Sequence, residues 1–294
     1  MRILFVDDEP SIRELFEISF SDDYELVLAD NGQSAYEICM DQKIDLIITD
    51  ISLPKLSGVE FIRKLKDSQK FIPFIIITGN SNIDLAIDTF RMGAVDFFLK
   101  PFRIDNLREV IEKAKMVHVD KRAHVPSDDF VHETENSLYL LNPKIREINQ
   151  YVSYIAGRLD ALPNVGNEDL IAIKVSLYEL ISNAIEHGTA GIDYSQKKEF
   201  LEHSGDYFNL VDNKCLETKK KIRVTTFYKN KSIEIEVEDE GLGFDLKNIP
   251  DPIKNPSYNL YSGRGIFLTK LNVDDIKYND IGNIVRITRL LTSQ

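Results

Sequence analysis

Short apolar runs that each end on a polar residue constrain the first third of this chain more than any other feature. Ile3-Leu4-Phe5-Val6 ends at Asp7-Asp8, and Leu46-Ile47-Ile48-Thr49 ends at Asp50. Phe74-Ile75-Ile76-Ile77 ends at Thr78, and Asp96-Phe97-Phe98-Leu99 ends at Lys100. Together with Glu25–Ala29 these are five strand signals, each too short for a buried helix. Helical periodicity falls between and after them, at Ser11–Phe20, Gln33–Met40, Val59–Lys66, Ile83–Met92 and Ile104 to about Val117. Alternation of this kind predicts an α/β unit with a doubly wound, parallel five-stranded sheet. Ligands of such sheets gather at the carboxyl ends of the strands, where the polar residues fall.

The rhythm breaks after residue 118. Residues 119–135 are polar, mixed in charge and aperiodic, and read as a linker between a domain at 1–118 and a second at 136–294. In the second domain a strand is expected at Leu138–Leu141, with helices at about Ile145–Leu162 and Glu168–His187. Gly188–Asn213 reads as irregular, with room for a short helix near Lys197–Glu202. Ile222–Tyr228 and Ile233–Glu238 alternate as half-buried strands. A helix at Ile266–Leu271 and strands at Asp275–Tyr278 and Ile284–Leu290 complete an α+β pattern.

Bulk properties exclude several classes. No apolar run approaches the roughly 18 residues of a membrane span, and MRILFVDDEP places an acidic pair where a signal peptide needs its apolar stretch. The two cysteines, Cys39 and Cys215, lie far apart with no CxxC partner, so neither a disulfide framework nor a zinc site is expected. These features predict a cytoplasmic protein without membrane attachment. A net charge of −12 opposes direct DNA binding unless a basic patch is concentrated. The best local candidate, Lys219-Lys220-Lys221, reads as a solvated loop edge.

Asp7, Asp8 and Asp50 converge if the sheet is right. Crowded carboxylates raise one another's pKa or recruit a cation, and oxygen-only ligands select Mg²⁺. An aspartate so placed is a nucleophile toward a phosphoryl donor. Thr78 can bond the phosphoryl oxygens, and Lys100 can pair with their charge. Each residue alone has an ordinary reading as a turn former, cap or surface group. Together, VDDEP, DLIITDISLP, IIIITGN and FFLKPF resemble the response-regulator receiver family across about residues 1–118. The resemblance implies Asp50 as phosphoacceptor, with Asp7, Asp8 and the backbone of Ser52 at the Mg²⁺ site, and self-catalysed aspartyl phosphorylation. It also implies Thr78 and Phe97 as a switch pair, although Phe97 serves equally well as a core aromatic.

The second domain carries three separated motifs. In YELISNAIEHG, Glu179, Asn183 and His187 recur at i, i+4 spacing and share a helix face. An Asn carbonyl and a Glu base suit a Mg²⁺–triphosphate site, whereas His187 reads as packing or ending the helix. In VEDEGLGFD, Asp239 can accept from an adenine amino group, and Gly241 and Gly243 permit close backbone approach. In SGRGIFLTK, Gly263, Arg264 and Gly265 open a helix whose amides can bind phosphate. No P-loop occurs. In this order the motifs resemble the Bergerat-type ATPase domain shared by histidine kinases and gyrase, and specifically its anti-sigma-factor serine kinase branch, over about residues 136–294. The resemblance implies ATP and Mg²⁺ as cofactors, Asn183 as Mg²⁺ ligand, Glu179 as general base and Asp239 as adenine reader.

Two departures stand out. Tyr261 occupies about the place where the branch puts an arginine reaching the terminal phosphate, so either Arg264 substitutes or transfer is weak. An insertion at Thr189–Asn213 exceeds usual loop lengths and reads as a partner-binding surface, with a disordered excursion as the alternative. The expected function is a response regulator whose Asp50 phosphorylation controls a serine/threonine kinase acting on an anti-sigma-factor antagonist. Expected partners are an upstream sensor histidine kinase, the antagonist or a sigma-factor-like protein, and a second copy in a homodimer. The alternative is a nucleotide-gated binding module without phosphoryl transfer. An atypical histidine kinase is disfavoured, because His118, His124 and His132 lie in a segment too short and polar for a dimerising hairpin.

Overall fold

A computed structural model of the chain describes residues 1–79, 89–90, 92–102, 104–118, 137–193, 196–197, 199–200, 206–229, 231–244 and 264–291. The chain divides into two compact units, Met1–Val119 and Asp120–Gln294. The expected linker, the expected fourth receiver helix save for residues 89–90 and 92, and Tyr261 and Gly263 lie outside the described residues.

In the first unit, β1 (Arg2–Val6), α1 (Pro10–Phe20), β2 (Glu25–Ala29), α2 (Gly32–Asp41), β3 (Leu46–Asp50), α3 (Gly58–Asp67), β4 (Phe74–Gly79), β5 (Ala94–Lys100) and α4 (Ile104–His118) follow in order. The sheet is parallel throughout, with strand order β2-β1-β3-β4-β5. Its strands are apolar on both faces because helices cover both, as parallel sheets require. Ile3, Phe5, Ile47, Ile48, Ile75 and Ile76 are all fully buried. Each such side chain contributes roughly 1.5–3 kcal/mol relative to exposure. Phe16 of α1 stacks on Phe5 with ring centroids 4.0 Å apart, tying helix to sheet. A capping box starts α3, in which the Ser57 hydroxyl accepts from the Glu60 amide at 3.3 Å and the Glu60 carboxylate accepts from the Ser57 amide at 3.1 Å.

Strand order reverses between β1 and β3, which neighbour each other although β2 lies between them in sequence. The crevice at that switch point is where a doubly wound sheet holds its ligand. Asp7 directly follows β1 and Asp50 ends β3.

The second unit is built differently. β6 (Ser137–Leu141), β7 (Ile222–Lys229), β8 (Ser232–Asp239), β9 (Asp275–Tyr278) and β10 (Ile284–Leu290) form an antiparallel sheet of order β6-β7-β8-β10-β9. β8 alternates cleanly: Ile233, Ile235 and Val237 are buried, while Glu234, Glu236 and Glu238 face outward to Lys229, Arg286 and Arg223. Three helices pack with this sheet, α5 (Ile148–Asp160), α6 (Asn167–Asn183) and α8 (Arg264–Asn272), with α6 touching α5, α8 and β10. Ala172 through Leu177 are all buried, so α6 is the central helix of the unit.

Two sequence expectations need correction. The helix expected to run to His187 ends as an α-helix at Asn183 and continues as a π-helical turn over Ala184–Thr189. The wider turn shows in the bond from the Ala190 amide to the Ile185 carbonyl, five residues back. The stretch to Asn213, expected to be irregular, contains the start of a further helix, α7 (Tyr207–Leu216). Tyr207, Val211 and Cys215, four residues apart, bury its inner face, and the Asp206 side chain caps it by accepting from the Asn209 amide at 3.1 Å. That periodicity was present in the sequence, masked by the polar residues around it. The insertion is therefore not a disordered excursion along its whole length.

Candidate functional site

Four strands of the first sheet deliver one polar cluster. Asp7 is fully buried and Asp50 nearly so, while Asp8 is exposed. Ligand oxygens of these three carboxylates all lie within 4.8 Å of one another. The Lys100 ammonium sits between two of them, 2.6 Å from Asp50 Oδ2 and 2.9 Å from Asp7 Oδ2, with Glu9 at 3.2 Å. Even before Glu9 is counted, three carboxylates and a single ammonium leave the cluster short of positive charge, and every donor is a hard oxygen. This set fits Mg²⁺ and not a thiophilic metal.

The remaining contacts fix orientation. The Ser52 amide donates to Asp50 Oδ1 at 2.9 Å, and the Glu9 amide donates to Asp7 Oδ1 at 3.0 Å. Burial pushes the Asp7 carboxyl up, with Lys100 and the Glu9 amide pulling against it. Burial also pulls on the Lys100 ammonium, but its hydrogen bonds to Asp50 and Asp7 outweigh that and hold it above the usual lysine range. Thr78 is fully buried at the end of β4, one strand over from Asp50. Phe97 is buried on β5 with its ring edge-on to Phe90, centroids 6.2 Å apart. Glu9 went unnoticed in the sequence, because only the Lys100 contact distinguishes it from a helix-flanking acid.

The second unit holds a cavity of about 450 Å³. Asn183 and His187 line it from α6 and the π turn, and Asp239, Gly243 and Asn283 from the sheet edge. Asp239 Oδ1 accepts from the Gly241 amide at 2.7 Å. A Cβ at Gly188 would fall 2.3 Å from that same oxygen, and one at Gly241 only 2.6 Å from it. Glycine at both positions is what lets π turn and sheet edge close on the carboxylate. Gly243 takes a left-handed φ of 74°, with the Ile281 carbonyl pressed where a Cβ would be. Burial raises the Asp239 carboxyl above its ordinary range.

Glu179 is brought to the third motif. A Cβ on Gly265 would lie 2.3 Å from Glu179 Oε2, so this carboxylate rests against the first turn of α8. Arg264 starts that helix, and its side chain is outside the described residues. His187 lines the cavity with its Nδ1 in contact with the Ile192 carbonyl. Burial depresses its imidazole, so the neutral ring is favoured. Lys220 also lines the cavity and donates to the Gly188 carbonyl at 3.2 Å, which corrects its reading as a solvated loop edge. Its neighbour Lys221 donates from its backbone to Glu240 at 3.0 Å. No sequence signal separates Lys220 from the lysines beside it.

No helix among the described residues is long and apolar enough to cross a membrane.

Comparison with known proteins matches residues 3–112 to the response regulator receiver domain family and residues 207–289 to the histidine kinase-like ATPase domain family. The second match begins at Tyr207, so Glu179 and Asn183 precede it. The transcriptional regulatory protein FlgR of Helicobacter pylori is 38% identical over 126 residues, covering 42% of this chain and 32% of that protein. The regulatory protein AtoC of Escherichia coli is 29% identical over 122 residues, 41% of this chain and 26% of that protein. Sporulation initiation phosphotransferase F of Bacillus subtilis is 33% identical over 113 residues, 38% of this chain and 91% of that protein. The chain thus spans a third or less of the first two relatives and nearly all of the third.

Proposed function

Because this chain belongs to the response regulator receiver family and carries a histidine kinase-like ATPase domain, we propose that phosphorylation of Asp50 controls an ATP-dependent serine/threonine kinase acting on an anti-sigma-factor antagonist. A sensor histidine kinase supplies the phosphoryl group, and the setting is the cytoplasm.

In the receiver, an Asp50 carboxylate oxygen forms the bond to phosphorus as the donor's bond to phosphorus breaks. Lys100 is already in place to pair with the incoming charge, 2.6 Å from Asp50 Oδ2. The Thr78 hydroxyl donates to a phosphoryl oxygen once the group is attached. Asp7, Asp8, Asp50 and the Ser52 backbone would hold Mg²⁺. When bound, the ion supplies charge neutralisation that one lysine among three carboxylates cannot.

In the second unit, Asp239 takes the adenine amino group and Asn183 holds the Mg²⁺ of the nucleotide. The observation that carries a transfer function is the Glu179 carboxylate resting against Gly265 at the start of α8. A helix start is where phosphate oxygens bind, so a base beside it can take the proton of an acceptor hydroxyl as its oxygen bonds to the terminal phosphorus and the bond from that phosphorus to the departing ADP breaks.

The test is incubation with γ-labelled ATP, Mg²⁺ and a candidate antagonist, with Asp50 phosphorylated or not. Label on a serine or threonine of the antagonist, lost in Glu179→Gln, is the expected result. ATP-dependent capture of the antagonist without label would replace the kinase by a nucleotide-gated binding module.

A further inference from the structure

Lys220 is a charged cavity residue that the proposed roles leave unused. Its ammonium donates to the Gly188 carbonyl at 3.2 Å, and Gly188 is the residue packed against the Asp239 carboxylate. The strand register explains the juxtaposition. Ile222 on β7 pairs with Asp239 on β8, so the chain just before Ile222 runs alongside the chain just after Asp239. The Lys221 amide bonded to Glu240 confirms that alignment one step further along. Lys220 and Asp239 thus present an ammonium and a carboxylate side by side at one end of the cavity.

This end suits a base and not a triphosphate, because the half-buried carboxylate cancels the neighbouring ammonium and leaves no net positive charge to hold a polyanion. Hydrogen-bond capacity narrows the choice of base. Asp239 Oδ1 is taken by the Gly241 amide at 2.7 Å, and among the described residues no bond reaches Oδ2. One carboxylate oxygen remains to accept. Lys220 has three N–H groups, of which one serves Gly188. The edge of adenine offers one amino N–H beside one ring-nitrogen acceptor, N1. Guanine carries an N–H at N1 and a carbonyl in place of the amino group, so in the same pose its donor would oppose the ammonium and its acceptor the carboxylate. Resting on the reading of this cavity as an ATP site, we propose that Lys220 is a specificity-determining residue that donates a charge-assisted hydrogen bond to adenine N1 while Asp239 accepts from the amino group.

Removing one atom from each partner tests this. Affinities of MgATP and of Mg-1-deaza-ATP, in which N1 is a C–H, are measured by calorimetry for the full chain and for Lys220→Met. A charge-assisted bond predicts that the unaltered chain binds ATP roughly tenfold to a hundredfold more tightly than the deaza analogue. In Lys220→Met that ratio falls to about one. Loss of the Gly188 contact would weaken both ligands together and leave the ratio intact, so the ratio isolates the base contact from a structural role. A ratio near one in the unaltered chain, or a ratio kept in Lys220→Met, overturns the assignment while leaving ATP binding standing. Absence of ATP binding by the unaltered chain overturns the underlying site as well. If Lys220→Met fails to fold, Lys220→Gln keeps a donor for Gly188, and an undiminished ratio there has the same overturning force.

Discussion

The two units build the sites proposed for phosphate chemistry, in one acidic chain, by opposite constructions. In the receiver, the site residues stand at or next to the ends of neighbouring parallel strands, so one sheet sets every spacing. In the ATPase unit, a helix, a π turn, a strand end and a second helix must meet, and packing alone decides whether they do. The receiver cluster carries three carboxylates around one ammonium. The cavity of the second unit is lined by two carboxylates, Asp193 and Asp239, with Lys220. A site fixed by sheet register tolerates dense charge because the strands cannot move apart without losing their ladder. A site fixed by packing depends on small residues that permit contact.

Substitutions can break this contrast, beginning with the most severe. Asp50→Asn removes the proposed nucleophile while keeping its shape, and phosphoryl incorporation from a small-molecule donor should be lost completely, as read by intact mass. Any residual incorporation would mean that a neighbouring carboxylate, Asp7 or Asp8, shares the role. Asn183→Ala removes an oxygen ligand from the proposed nucleotide site and should weaken MgATP binding roughly tenfold to a hundredfold by calorimetry. An unchanged affinity would detach α6 from the nucleotide altogether.

Gly188→Ala tests packing as the organiser of the second site. The new methyl would fall 2.3 Å from Asp239 Oδ1, and overpacking of this kind costs about 1–3 kcal/mol. Denaturant unfolding should show that loss, and ATP affinity should fall with it. A fully stable variant that binds normally would show that the π turn is free to shift, contrary to the contrast drawn above.

The mildest effect concerns Glu186, which anchors the inserted segment to the π turn. Its buried carboxylate meets Lys197 at 2.7 Å, the Tyr207 hydroxyl at 3.0 Å and Ser182 at 3.1 Å. Burial alone would raise its pKa, but Lys197, with help from the Tyr207 hydroxyl, outweighs it and holds the carboxyl below the ordinary glutamate range. A depressed carboxyl contributes stability that is present above its unfolded value and lost as pH falls through its folded value. Glu186→Gln should therefore cost about 1 kcal/mol near neutrality and progressively less in acid. Urea titrations on both sides of pH 4.5 would show the gap closing, and a gap that widens in acid would reverse the assignment.

How much of this was legible in the sequence follows the same division. Asp7, Asp50, Thr78 and Lys100 could be picked out because each closes or directly follows an apolar run of strand length. In a parallel sheet that position alone carries a side chain to the ligand edge. Asn183 and Asp239 were legible as motif residues, but neither spacing nor periodicity brings them to one cavity. The π turn at Ala184–Thr189 left no periodic trace, because six residues of wider winding look like any helix end. Lys220 was indistinguishable from Lys219 and Lys221, since which lysine turns inward depends on the register of β7 against β8. By itself, then, the sequence determined the parallel sheet and which polar residues gather at its ligand edge, because strand periodicity is local. The tertiary structure alone decided the cavity of the second unit, the folding of Tyr207–Leu216 onto that unit and the inward lysine, because each arises from contacts between segments far apart in the chain.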